Sequence, residues 1–163
     1  RLIPKIKKIY KGKLTYAANW NSVKEVQFWQ QLDYIGVDAY YPLSEKKQPT
    51  VEELNAAWKP IKKELKDYSF RFNKPVLFTE YGFESCYYNT KTTWGSDGKY
   101  AVSEKAQAIA YQSFFESFYS ENWFAGGFFW KWHVTPKTIR NKERAFTPQG
   151  KDALRVIRAN FGK

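Results

Sequence analysis

The 163-residue sequence contains one cysteine, Cys86, and one histidine, His133. A single cysteine excludes an intrachain disulfide and a cysteine-rich zinc site. A single histidine excludes a two-histidine metal centre, and any Ser-His-Asp triad would have to use His133. No apolar run approaches the ~18–20 residues needed to span a bilayer. No Gly-rich phosphate loop follows the first apolar segment, because Tyr16-Ala17-Ala18-Asn19-Trp20 holds no glycine. That counts against a dinucleotide-binding open sheet. No signal peptide opens the chain, and Arg1-Leu2-Ile3-Pro4-Lys5 reads as the middle of something longer. Cys86 has no partner nearby in sequence and no evident catalytic use. His133 reads as a loop histidine or as a polar neighbour of a site.

Acidic residues are also scarce: 16 Asp+Glu face 27 Lys+Arg, for a formal net charge of +11. The distribution of the basic residues argues against nucleic-acid binding. In Lys5-Ile6-Lys7-Lys8, in residues 59–66 and in residues 137–144 they alternate with apolar or acidic residues, as on a solvated helix face. There is no RNA-binding sheet signature and no zinc finger. General solubility, or attraction to an acidic surface, accounts for the charge.

Aromatic residues, by contrast, are abundant: 7 Trp, 12 Tyr and 13 Phe make up 20% of the chain. Some of them must fill a core. The excess suits stacking on sugars, nucleobases or other rings. The hydrophobic fraction of 43% and the length fit one folded unit with a sizeable core.

Apolar periodicity predicts a leading helix followed by four strand–helix units. Leu2, Ile6 and Ile9 mark the tail of an opening helix. Residues 13–18 form a first strand. Residues 22–31 read as a helix with Ser22-Val23-Lys24-Glu25 as its capping box. Residues 34–40 form a second strand that Pro42 stops. Residues 50–67 form a helix opened by a second capping box, Thr50-Val51-Glu52-Glu53. Its apolar stripe is Val51, Leu54, Trp58, Ile61 and Leu65, and Pro60 should kink or divide it. Residues 75–79 form a third strand, almost wholly apolar, as a strand covered on both faces should be. After a polar loop over 84–101, Ser103 caps a helix with the stripe Ala106, Ala110, Phe114 and Phe118. Residues 126–130 form a fourth strand and residues 150–161 a closing helix. Such alternation implies a parallel sheet of right-handed βαβ units. A complete eight-stranded βα barrel needs about 250 residues, so four units are about half of one.

In βα barrels, chemistry gathers at the C-terminal ends of the strands. The four ends here are Asn19-Trp20, Asp38-Ala39-Tyr40-Tyr41, Thr79-Glu80-Tyr81-Gly82 and Trp130-Lys131-Trp132-His133. Together they carry carboxylates, an amide and large aromatics. Glu80 is the sharpest of them, because a carboxylate ending an apolar strand is costly unless paired or used. Its alternative is a salt bridge to a basic neighbour. Asp38 could instead cap the turn that follows it. Trp130 and Trp132, two apart on an extended strand, should point the same way, into a pocket or into the core.

These segments resemble a known family. Gly12-Lys13-Leu14-Thr15-Tyr16-Ala17-Ala18-Asn19-Trp20, Leu32-Asp33-Tyr34-Ile35-Gly36-Val37-Asp38-Ala39-Tyr40-Tyr41-Pro42-Leu43, Thr79-Glu80-Tyr81-Gly82 and Phe129-Trp130-Lys131-Trp132 are similar to the second half of glycoside hydrolase family 113. Phe146-Thr147-Pro148-Gln149-Gly150-Lys151 resembles that family's close. The resemblance implies retaining β-mannanases on a (β/α)8 TIM barrel, with residues 1–163 as a single segment supplying strands five to eight. It implies Glu80 as the nucleophile and Tyr40 as a hydrogen-bond donor that orients it. Trp130 would form the floor of the reactive subsite, and Asn19, Trp20, Asp38 and Trp132 would contact sugar. No metal or cofactor is implied.

The resemblance also implies a missing part. The family's acid/base is a glutamate ending the fourth strand, and residues 1–20 contain no glutamate. A retaining glycosidase needs two carboxylates about 5–5.5 Å apart. Glu84, in the following loop, is a poor substitute. The expected partners are therefore a β-linked polysaccharide or oligosaccharide and an N-terminal barrel half, in cis or as a second chain. A polymeric substrate points to secretion or the cell envelope, with any leader preceding this segment. Two other readings are a non-catalytic carbohydrate-binding or scaffold protein on a degenerate barrel, and a small doubly-wound binding domain.

Overall fold

Four parallel strands form one sheet in chain order in the computed structural model, which describes residues 2–135 and 139–161. They are β1 (Ala17–Asn19), β2 (Ile35–Asp38), β3 (Val76–Tyr81) and β4 (Phe124–Phe129). Helix α1 (Leu2–Ile9) precedes them. Helices α2 (Val51–Phe72), α3 (Glu104–Phe118) and α4 (Asp152–Asn160) follow β2, β3 and β4. Among the described residues, β1 and β4 each leave one edge without a strand partner.

The Thr50 capping box closes as expected. Thr50 Oγ1 accepts from the Glu53 amide at 3.3 Å, and the Thr50 amide donates to Glu53 Oε2 at 3.0 Å. The stripe on α2 buries Leu54, Trp58 and Leu65. Pro60 does not divide α2, which continues to Phe72. Proline removes one amide and so frees the Ala56 carbonyl. Ala56 and Pro60 are both exposed, so water can take up that carbonyl. Ser103 caps α3 by accepting from the Ala106 amide at 3.2 Å, and Ala106, Ala110, Phe114 and Phe118 are all buried.

The helix expected over 22–31 is absent. Two short 3₁₀ turns, Val23–Glu25 and Trp29–Gln31, stand there, and Ser22 makes no side-chain cap. An α-helix would give the Val23 carbonyl to the amide of residue 27. That carbonyl instead accepts from the Val26 amide at 3.4 Å and from the buried Trp29 indole at 3.2 Å. Burying the Trp29 ring under the sheet outweighs a helix with few apolar contacts of its own.

The core lies between the sheet and its helices and is largely aromatic. Phe78, Tyr81, Phe114, Phe118, Trp58 and Tyr111 are almost fully buried. Tyr81 stacks on Phe114 with ring centroids 4.0 Å apart, and Phe78 meets Phe118 at 5.0 Å. Each such ring contributes roughly 1.5–3 kcal/mol by leaving water.

Strand β3 is irregular where it matters. Val76, Phe78 and Tyr81 belong to the core. Strict alternation would put Glu80, not Tyr81, on the side of Phe78. An extra residue breaks the alternation. Val37 pairs with Phe78, but the next residue, Asp38, pairs with Glu80. Against β4, Phe78 and Tyr81 pair with Gly127 and Phe129, three positions on one strand against two on the other. This bulge leaves both Thr79 and Glu80 off the core face.

Candidate active site

Hydrogen bonds between main-chain groups stitch the C-terminal ends of the four strands together. The Trp20 amide donates to the Asp38 carbonyl at 3.1 Å, the Ala39 amide to the Glu80 carbonyl at 2.7 Å, and the Trp130 amide to the Tyr81 carbonyl at 2.6 Å. The expected site residues therefore follow one another along a single rim.

Side chains join two pairs of residues on that rim. The Tyr40 hydroxyl donates to Glu80 Oε2 at 2.9 Å, and Thr79 Oγ1 donates to Asp38 Oδ1 at 2.8 Å. Tyr40 and Glu80 are both half-buried. Burial, and secondly the hydrogen bond to Glu80, push the Tyr40 phenol far above its ordinary range. Tyr40 therefore remains a donor at any working pH. Asp38 has one oxygen committed to Thr79, a partner the sequence reading did not single out.

Among the described residues, the other predicted side chains on the rim make no side-chain hydrogen bond to Glu80. Asn19 is exposed, and its amide donates to Asn21 Oδ1 at 3.0 Å. Trp20 is half-buried beside Tyr41, with ring centroids 5.5 Å apart. Trp130 and Trp132 are 41% and 54% exposed. They are not on an extended strand, because β4 ends at Phe129. Their two-residue spacing therefore does not fix a common direction. Trp132 leans on Phe129, while the Lys131 ammonium sits 5.0 Å over the Trp130 ring.

Gly82 explains how tightly β3 and β4 approach at this end. A methyl group there would stand 2.2 Å from the Trp130 carbonyl oxygen. Phe146, from the segment before α4, presents its ring edge-on to Tyr40 at 6.5 Å. Gln107, fully buried on α3, holds that segment by donating to the carbonyls of Phe83 at 2.8 Å and Phe146 at 2.9 Å. Lys151, only 6% exposed, donates to Ser85 Oγ and, at 2.7 Å, to the Ala145 carbonyl. Burial lowers its ammonium pKa to about 8.

Glu84 does not reach the pair. Its Oε2 accepts from the Ser96 amide and hydroxyl, inside the loop that follows β3. Cys86 is buried beside the same groups, and burial raises its thiol pKa. His133 is tied through its main chain to Gln149, with bonds of 2.8 and 3.0 Å. It lines a cavity of about 480 Å³ together with Lys131, Arg144 and Phe146.

A structure described as a complex of a GH113 β-1,4-mannanase matches with a TM-score of 0.78 and 27% identity, covering 98% of this chain and 48% of that one. The GH113 β-mannanase AaManA from Alicyclobacillus acidocaldarius, in complex with ManMIm, matches with a TM-score of 0.78 and 26% identity, over 96% of this chain and 47% of that one. A β-glucuronidase from Ruminococcus gnavus shares the fold, with a TM-score of 0.66 and 19% identity over 97% of this chain and 28% of its own. No curated protein matches. The chain spans about half the length of the mannanases, and its parallel sheet is part of the same TIM barrel. The family model described as Glycoside Hydrolase Family 113 matches residues 1–151, and the chain belongs to that family.

Proposed function

We propose that residues 1–163 form the C-terminal half of a retaining glycoside hydrolase that cleaves β-1,4-mannosidic bonds in mannan or manno-oligosaccharides. The observation that carries this reading is the hydrogen bond from Tyr40 to Glu80 at the strand ends, within a chain of this family. In this reading the Glu80 carboxylate attacks the anomeric carbon and forms a glycosyl ester. The Tyr40 hydroxyl occupies one carboxylate oxygen and leaves the other to react. Trp130 offers an exposed ring for the sugar face, and Trp20, Trp132, Asn19 and Asp38 supply flanking contacts. A second carboxylate must protonate the leaving oxygen and later activate water. It lies in the other half of the barrel, because Glu84 is engaged with Ser96.

The surface fits an incomplete barrel. Both outer strand edges lack partners among the described residues. A mostly apolar groove of about 500 Å³, lined by Leu2, Ile3, Ile6, Leu14, Phe28 and Leu32, lies beside the β1 edge. Unpaired edges and apolar grooves are liabilities unless covered. The occupant is the N-terminal half, in cis or as a second chain.

The test starts with the intact mass of the native polypeptide that carries this sequence. A species of about twice this length, or a co-purifying second chain, is expected. That material should release manno-oligosaccharides from β-1,4-mannan with retained anomeric configuration by NMR. Inverted product would exclude a Glu80 ester. A complete barrel that binds mannan without cleaving it would favour the binding-protein reading instead.

A further inference from the structure

Tyr40 lies beyond the end of β2, so the sheet ladder does not hold its main chain. Its amide bonds back to the Asp38 carbonyl, two residues away, at 3.0 Å. The loop that leaves β3 after Glu80 supplies the rest. Thr93, 1% exposed, donates its hydroxyl to the Tyr40 carbonyl. Further along, the same loop grips the chain that follows Tyr40 again. The Thr90 carbonyl accepts from the amides of Leu43 at 2.7 Å and Ser44 at 3.2 Å, and the Tyr88 amide donates to the Lys47 carbonyl at 2.8 Å.

We propose that Thr93 is a positioning residue for the Tyr40–Glu80 pair: by holding the Tyr40 carbonyl, its buried hydroxyl sets where the phenol meets the carboxylate. The inference rests on the reading of Glu80 as nucleophile. The chain leaves the active strand at Gly82 and folds back through Thr93 to brace the group that hydrogen-bonds its own carboxylate. The phenolic oxygen is at the far end of a rigid ring. A small rotation of the Tyr40 main chain therefore displaces the hydroxyl more than the Cα. Phe146 packs edge-on to that ring, while the Thr93 bond holds the main chain from which the ring projects. Without the Thr93 hydroxyl, the Tyr40 carbonyl would lack this partner and would rotate to find another.

The experiment uses the complete enzyme and four variants: Thr93→Val, Thr93→Ser, Tyr40→Phe and the Thr93→Val/Tyr40→Phe double substitution. Thr93→Val should lower kcat roughly 10- to 100-fold, the scale of a misplaced catalytic group, with KM unchanged. Thr93→Ser should restore most of the loss, because it returns the hydroxyl. In the Tyr40→Phe background Thr93→Val should cost little more, since the group it positions has gone. If Thr93→Val does not fold, Thr93→Ala removes the same hydroxyl without added bulk and serves in its place. Wild-type kcat in the hydroxyl-free variant would overturn the proposal. So would a loss that adds in full to that of Tyr40→Phe, or one that appears only as lower thermal stability. Full turnover in a Glu80→Gln control would instead overturn the nucleophile reading, and the cycle between Thr93 and Tyr40 would still decide whether the two are coupled.

Discussion

The Tyr40 hydroxyl and the Glu80 carboxylate meet across neighbouring strands with 2.9 Å between their oxygens. The phenol is buried enough to keep its proton throughout the working pH range. The contact is thus a phenol donor set on a carboxylate acceptor. Hydrogen bonds to charged groups contribute about 1.5–3 kcal/mol, so this one is strong enough to hold a side chain in a single orientation.

Replacing Glu80 by glutamine in the complete enzyme keeps the shape and removes the nucleophile. Turnover should fall by roughly 10⁴-fold or more, the range seen when one member of a catalytic unit is lost. Oligosaccharide binding by calorimetry should persist. Near-normal turnover would remove Glu80 from the role.

Tyr40→Phe leaves the ring packed against Phe146 and deletes only the donor. The expected loss is roughly 10- to 100-fold in kcat, the equivalent of about 1.5–3 kcal/mol. KM should change little, because the phenol faces the carboxylate. A change confined to KM would mean that the hydroxyl binds substrate instead.

Gly82→Ala should force β3 and β4 apart, since its methyl group would meet the Trp130 carbonyl oxygen at 2.2 Å. Destabilisation of about 1–3 kcal/mol is expected, as for other overpacked sites. Trp130 should be displaced with it, so substrate affinity falls along with stability. Thermal melts and a fluorescence titration would separate the two effects. A variant as stable as the parent would show that the strands yield freely there.

Lys151 provides a pH test. Its folded-state pKa of about 8 lies below the ~10.4 of an unfolded lysine. Between those values the unfolded chain binds more protons, so stability rises with pH. Below pH 8 the cost of burying the ammonium is present in full and constant. The stability difference between parent and Lys151→Met should therefore be flat below pH 8. It should grow in the parent's favour towards pH 10, with a limiting slope of about 1.4 kcal/mol per pH unit. Denaturant titrations at each pH measure it. A flat difference up to pH 10 would mean that the ammonium is not destabilised by its surroundings.

The sequence was most readable where local chemistry and burial agree. Thr50 with Glu53, and Ser103 before the stripe of α3, are helix starts whose side-chain bonds and apolar faces point the same way. Ser22 has the same capping pattern but fails, because the Trp29 indole competes for the Val23 carbonyl. Glu80 stood out because it is a carboxylate at the end of an apolar strand. Its contact with Tyr40 came from the family resemblance and not from spacing. The directions of Trp130 and Trp132 were not legible, since no pattern marked Phe129 as the last residue of β4. Thr79, Thr93 and Gln107 were missed for a different reason. Each acts through long-range hydrogen bonds, one for each threonine and two for Gln107, and a threonine or glutamine leaves no periodic trace of such partners.

The bulge in β3 raises the density of useful side chains on the rim. A regular strand offers one side chain per face for every two residues, whereas Thr79 and Glu80 reach Asp38 and Tyr40 from adjacent positions. Deleting one codon between Phe78 and Tyr81 would restore the alternation of apolar side chains in β3 but break its match to β4, because Val76 and Tyr81 pair with Phe124 and Phe129, five positions apart on each strand. The rim would then have to give up either the hydroxyl that holds Asp38 or the carboxylate that meets Tyr40. A change of length in this strand is therefore felt on both sides of the sheet, at the rim and in the pairing of the core residues with β4.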